Sequence, residues 1–191
     1  MKGRYFMKHT LSASLNNTML RPISEVDLES LRSWRNDVQL TEFLTRIDYI
    51  SFEKQQKWYE NDTTNPNCYT FAIDETQTLK RLVGSVALYS FQDTSAEFGR
   101  FLIGDENARG KGIGYIGTVL CLYLGFTKLG LQTIRANVHE ENIAALKAYQ
   151  KGGFVISGKH SYINGGHEIE IAVTRKHFFE SHNFLTEIKN C

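Results

Sequence analysis

Cysteine and proline are scarce in this chain of 191 residues, with three copies of one and two of the other. Cys68, Cys121 and Cys191 are odd in number, widely separated and without a C-x-x-C spacing. That argues against a disulfide framework or a zinc site and for reduced thiols in the cytoplasm. Charge of one sign is also missing. Against 22 Lys and Arg stand 21 Asp and Glu, a net charge of +1, so no general nucleic-acid binder is expected and any phosphate recognition must be local. No long apolar run occurs. The opening MKGRYFMKHTLSASLNNT is basic but lacks the hydrophobic stretch of a signal peptide, and the longest uncharged run, residues 112–127, is too short and glycine-rich for a membrane span. The six histidines show no metal-ligand spacing, so no metal is expected.

What is present is an ordinary globular composition, 41% hydrophobic and 23% charged, at a length that suits one domain with its own core. TMLRPI at 18–23 reads as a strand. Ser24 can cap a helix that carries Leu28, Leu31 and Trp34 to Asn36, and a second helix starts at Ser51 with Phe52, Trp58 and Tyr59. Residues 37–50, between them, are irregular and suit a substrate-side loop. Three β-rich runs follow at 68–73, 82–91 and 96–104. Residues 114–129 are apolar on almost every face and predict a deeply buried helix. TIRANVH at 133–139 alternates as a strand, and residues 142–150 form a short helix stopped by Gly152 and Gly153. FVISGKHSYI and HEIEIAVT flank the turn signal Asn164-Gly165-Gly166 as a hairpin, and residues 175–191 read as a short helix and a tail. The sum is one mixed α+β domain, residues 1–191, on a largely antiparallel sheet.

ARGKGIGYIG, residues 108–117, packs four glycines and two basic residues into ten positions. Gly112–Gly117 satisfies the dinucleotide pattern G-x-G-x-x-G, and the overlapping RGKGIG, from Arg109, satisfies R-x-x-G-x-G. Both use glycines to bring backbone N–H groups close to phosphate, with the positive end of the next helix behind them. The dinucleotide reading needs an acidic residue about 20 positions on and further βαβ units. The sequence there, QTIRANV, has no carboxylate before Glu140, and the chain ends in a hairpin. Downstream lies NIAALKAYQKGGF, residues 142–154, which fits N-x-x-A-x-x-x-Y-x-K-x-G-F through Asn142, Ala145, Tyr149, Lys151, Gly153 and Phe154.

These two motifs, in this order and spacing, closely resemble the signatures of the GNAT acetyltransferases, and the resemblance covers residues 18–175. It implies the GNAT fold, with a mixed, mostly antiparallel sheet flanked by helices and a splayed strand pair that receives acetyl-CoA. It further implies that Arg109, Gly110, Lys111, Gly112, Ile113 and Gly114 wrap the pyrophosphate. Backbone groups of Leu102, Ile103 and Gly104 would hold the pantetheine arm and polarise the thioester. Asn142 would contact that arm, and its plain alternative is a helix N-cap. The Tyr149 hydroxyl would protonate the departing thiolate, and its plain alternative is a core aromatic.

A general base is less obvious. Where amino-terminal acetyltransferases of ribosomal proteins carry a Glu, this chain has Asn137. Glu97 is the substitute, with His139 and Glu140 behind it, and loss of the proton to water stays open. Trp34-Arg35-Asn36 is similar to acetyltransferases of amino sugars on nucleotides, and LRPISEVDLESLRSWRN, residues 20–36, to the opening of that group and of the ribosomal-protein and polyamine branches, with Trp34 more simply a packing residue. The expected activity is direct transfer of acetyl to a primary amine of a small molecule or peptide, by a cytoplasmic monomer or homodimer. An idle acyl-CoA-binding module is the alternative.

Overall fold

The computed structural model describes residues 9–44, 47–158, 161–163 and 166–191. Two strands open it, β1 (Ala13–Leu15) and β2 (Thr18–Pro22). Ser24 and Asp27 then cap each other, Ser24 N–H donating to the Asp27 carboxylate at 2.8 Å and Asp27 N–H to the Ser24 carbonyl at 3.0 Å, and α1 (Leu28–Asn36) follows. Ser51 Oγ accepts from Lys54 N–H at 3.3 Å and starts α2 (Phe52–Thr64). β3 (Cys68–Glu75), β4 (Arg81–Gln92) and β5 (Ser95–Ile103) make an antiparallel meander, followed by α3 (Ile113–Thr127), β6 (Thr133–His139) and α4 (Ile143–Lys151). The chain closes with β7 (Val155–Ile156), β8 (Ser161–Ile163), β9 (Gly166–Thr174), α5 (Arg175–Ser181) and β10 (Lys189–Asn190).

These strands form one sheet in the order β10-β1-β2-β3-β4-β5-β6-β9-β7, with β8 on β9. Among the described residues only the β5–β6 pairing is parallel. The expected mixed, mostly antiparallel α+β architecture is therefore present. Alternation along β3 explains how helices cover both faces: Phe71 and Ile73 point into the core with α3, while Ala72 points the other way, to Leu28, Leu31 and Tyr59 of α1 and α2. α3 is buried along nearly its whole length, as its uniformly apolar sequence requires. Gly117, which completes the G-x-G-x-x-G match, lies inside this helix, where a Cβ would sit 3.3 Å from the Ile73 side chain. Its role is packing.

The sequence reading differs from the structure at the sheet margins. β1 pairs with both β2 and β10, so the tail returns to the sheet edge, with Ile188 buried against the core. The continuous strand expected over 154–163 is split into β7 and β8. Between them Gly158 lies so close to the Glu170 side chain that a Cβ would overlap its carboxylate, and Ser157 N–H donates to the Glu170 carbonyl. β8 and β9 do pair as the expected hairpin, while Asn164 and Gly165 of its turn lie outside the described residues.

Candidate active site

A strand alternates its side chains, so β5 should place Phe98 and Arg100 on one face and Phe101 on the other. It does not. Ala87 pairs with Gly99 but Ser85 pairs with Leu102, two steps on β4 against three on β5. The extra residue is a bulge in which Arg100 takes a left-handed φ of 50°. Phe101 is thereby returned to the face of Phe98, and both rings meet Tyr149 of α4 edge-on, at 5.2 and 5.7 Å.

The bulge coincides with a parting of strands. β5 and β6 pair only from Ser95–Thr133 to Glu97–Arg135, after which β6 continues with β9 and β5 with β4. A cleft of about 810 Å³ opens there, lined by Glu97 to Phe101, Asn137, Tyr149, Glu168 and Glu170. This is the expected splayed pair. Its β5 edge is more restricted than the motif implies. Gly104 N–H donates to the Val83 carbonyl at 3.0 Å, so it is committed inside the sheet. Leu102, two residues back on the same ladder, also faces β4, which leaves the backbone of Phe101 and Ile103 directed at the gap. Gly104 is glycine for another reason, since the Trp34 indole lies where its Cβ would be. Trp34 is thus a packing residue.

At the far end of β5 the glycine loop meets α3. Gly110 and Gly112 have φ of 72° and 78°, and a Cβ at either would meet nothing within 4 Å, so conformation and not crowding demands glycine. Gly112 is the N-cap of α3, with no side-chain cap, and the first helical bond runs from Ile116 N–H to Gly112. The N–H groups of Ile113, Gly114 and Tyr115 precede it, at the positive end of a 15-residue helix. This arrangement fits a pyrophosphate. Lys111 is exposed on the loop, and Lys151 Nζ lies 4.3 Å from the centre of the Tyr115 ring. Arg109, though exposed, folds back on β5, donating to the carbonyls of Ile103 at 3.2 Å and Gly104 at 2.9 Å, and so braces the loop with its guanidinium.

Asn142 is the N-cap of α4, its Oδ1 accepting from Ala145 N–H at 3.1 Å. Tyr149 on the same helix is 7% exposed, and burial raises its phenol above the usual tyrosine range, so the hydroxyl stays protonated at neutral pH.

The wall opposite is acidic. Glu97 pairs in register with Tyr89, whose phenol is raised by burial and by the Glu97 charge. Asn137, an amide that cannot act as a base, has Glu170 as its cross-strand partner, and Glu168 pairs with His139. Carboxylates missing from β6 are therefore present one strand away, on β9. No local motif signals them; only the β6–β9 register does. The Phe43 ring lies tilted against His139 at 5.3 Å, and Phe43 and Leu44 line the cleft, while residues 45 and 46 of the 37–50 segment lie outside the described residues.

Arg100 is held from behind. Its guanidinium donates to Asp62 at 2.7 Å and to Cys68 Sγ at 3.3 Å, and Cys68 donates to Asp62 at 3.1 Å. Burial and the Asp62 charge push the Cys68 thiol up to about 11, so it is no nucleophile. Cys68 and Cys121 are buried free thiols and Cys191 an exposed one. Among the described residues no cluster of His, Cys, Asp and Glu could hold a metal, and no helix is long and apolar enough to cross a membrane.

A family model for the acetyltransferase (GNAT) domain matches residues 17–155. The chain belongs to the GNAT acetyltransferase family. It is 28% identical over 154 residues to spermidine N(1)-acetyltransferase of Vibrio cholerae, covering 78% of this chain and 87% of that one. To acetyltransferase PseH of Campylobacter jejuni it is 25% identical over 134 residues, 70% and 80% of the two chains. The crystal structure of the Vibrio cholerae spermidine N-acetyltransferase with CoA and spermine superposes with a TM-score of 0.75 at 24% identity, over 85% of this chain and 98% of that one. The protein is thus an N-acetyltransferase of a family whose co-substrate is acetyl-CoA, and neither curated relative supports an idle binding module.

Proposed function

We propose that this GNAT protein acetylates a primary amine of a small molecule by direct attack within a ternary complex in the cleft between β5 and β6. The observation that carries this is the parting of those strands, which joins an open helix N-terminus on one side to a carboxylate-lined wall on the other. Acetyl-CoA, when bound, supplies an activated thioester. Its pyrophosphate would be held by the N–H groups of Ile113, Gly114 and Tyr115 and by the loop of Gly110, Lys111 and Gly112, a loop that Arg109 keeps in shape. The β5 edge would offer the pantetheine the backbone of Phe101 and the N–H of Ile103, whose carbonyl is taken by Arg109. On this reading Ile103 N–H would polarise a carbonyl there, while Leu102 and Gly104 hold the edge to β4. Asn142 contributes by fixing the start of α4, and so the height of Tyr149.

Tyr149 holds a proton at Oη for the departing thiolate, its protonated form secured by burial. An acceptor enters as an ammonium and must lose a proton before attack. Glu97, with Glu170 beside Asn137, lines the wall it meets and can receive that proton through water. The spermidine relative supports a small-molecule acceptor, and the reduced thiols support a cytoplasmic setting. The test is CoA release from acetyl-CoA with a panel of polyamines, amino sugars, amino-sugar nucleotides and short peptides. Turnover on at least one is expected. Acetyl-CoA binding without turnover on any amine overturns the proposal.

A further inference from the structure

The reaction cleft does not end at Tyr89. That residue, with Leu44 and Arg100, also lines a second cavity of about 460 Å³ between the segment joining α1 to α2 and the open face of the sheet. Its walls are largely apolar, with Leu31 of α1, Ile47 and Ile50 of the segment, Trp58 of α2 and Leu102 of β5. Three cations border it, and each is already engaged. Arg100 is met by Asp62 at 2.7 Å, Lys54 donates to the Tyr49 carbonyl at 3.2 Å, and Arg35 is engaged as well. None of them calls for an anion. Among the described residues no carboxylate lines this cavity, in contrast to Glu97, Glu168 and Glu170 of the reaction cleft. A second ammonium entering it would leave water for an apolar recess that offers no counter-charge.

What the recess does offer is an amide. Gln55 stands three residues before Trp58 on α2, a spacing that puts both on the helix face turned to the cavity. Gln55 is 4% exposed, and among the described residues no group hydrogen-bonds its side chain. A buried amide, with two donor hydrogens and an accepting oxygen, is costly until a partner reaches it. The cavity is the side from which a partner can come.

We infer that the acceptor is a primary amine with an uncharged, largely apolar body, seated against Trp58 and Leu31 and ending in a carboxamide-like group that pairs with Gln55. This rests on the acetyl transfer proposed for the β5–β6 cleft. It sets the preferred acceptor apart from a polyamine, whose body is charged.

The experiment is a matched series of ethylamine, hexylamine, aminohexanamide, aminohexanoate and diaminohexane, each followed by CoA release at saturating acetyl-CoA. Hexylamine is expected to exceed ethylamine in kcat/KM by about tenfold or more through its buried methylenes. Aminohexanamide should exceed hexylamine by about three- to tenfold, the size of one hydrogen bond, with aminohexanoate and diaminohexane below hexylamine. In Gln55→Leu, which removes the amide at similar volume, the advantage of aminohexanamide over hexylamine should vanish. The melting temperature should not fall, because an unpaired buried amide gives way to an apolar group. A lower melting temperature with the advantage retained would make Gln55 a structural residue and overturn the inference. Should Gln55→Leu fail to fold, Trp58→Ala reads the other half of the site, and the ratio of hexylamine to ethylamine should shrink to about threefold or less. Diaminohexane or aminohexanoate as the best substrate, or a ranking indifferent to both substitutions, overturns the inference. Absence of turnover with this series and with the wider amine panel defeats the acetyl-transfer proposal itself, whereas turnover confined to polyamines defeats this inference alone.

Discussion

The two halves of the cleft are built from different material. On the side of α3 the working groups are backbone: N–H groups at a helix start, glycines in left-handed conformations and the unpaired edge of β5. On the side of β9 and the α1–α2 segment they are side chains, Glu97, Glu168, Glu170, Tyr89, Arg35 and Arg100, drawn from four separate stretches of chain. A backbone site depends on conformation and tolerates changes in most side chains, while a side-chain site can be retuned one substitution at a time. One fold can thus keep its donor and vary its acceptor.

Substitutions that touch one half and spare the other sharpen this contrast. Tyr149→Phe should have the largest effect, lowering kcat by about 10²–10⁴-fold with acetyl-CoA affinity little changed. Because the buried phenol is raised above the ordinary value, the wild-type kcat should stay level up to about pH 10, with the proton lost only at higher pH. A fall near neutral pH that Tyr149→Phe abolishes would show the phenol titrating there and contradict its raised proton affinity, and an undiminished kcat in Tyr149→Phe would assign the acid role elsewhere.

Next comes the glycine loop. Gly112→Val places a branched residue at φ 78°, a strain of about 1–3 kcal/mol, and should raise the KM for acetyl-CoA by about five- to hundredfold while leaving the ranking of amines intact. A changed ranking would show that the halves are not separable.

Asp62→Asn removes the buried carboxylate behind Arg100. With Arg100 itself partly exposed, a stability loss of about 1–3 kcal/mol is expected by thermal denaturation. Since Arg100 stands at the bulge, acetyl transfer should slow with every amine alike. The smallest effect is Asn142→Ala, at about 1 kcal/mol for a lost N-cap, and Asn142→Ser should restore it. Failure of serine to restore activity along with stability would point to a direct contact of Asn142 with the co-substrate.

How much of this was legible in the sequence follows the same division. RGKGIG and NIAALKAYQKGGF are contiguous, so their geometry is written locally. The burial of α3 was equally readable from its unbroken apolar run. The bulge at Arg100 was not written in EFGRFLI itself, since only the folded register shows that Phe98 and Phe101 share a face. The acceptor wall was not readable, because Glu170 comes beside Asn137 only through the β6–β9 register, and Arg35 comes near Arg100 only through packing of α1 on the sheet. The two-residue strand β10 has no pattern to read, and its pairing with β1 is a product of the folded tail.

The central claim is that donor and acceptor occupy the cleft together and that no residue of the chain carries the acetyl group between them. Initial velocities measured over a grid of acetyl-CoA and amine concentrations, with the mass of the enzyme followed during turnover, test it directly. Intersecting reciprocal plots and an enzyme of unchanged mass are predicted. Parallel plots, with an acetylated enzyme accumulating when amine is withheld, would contradict it.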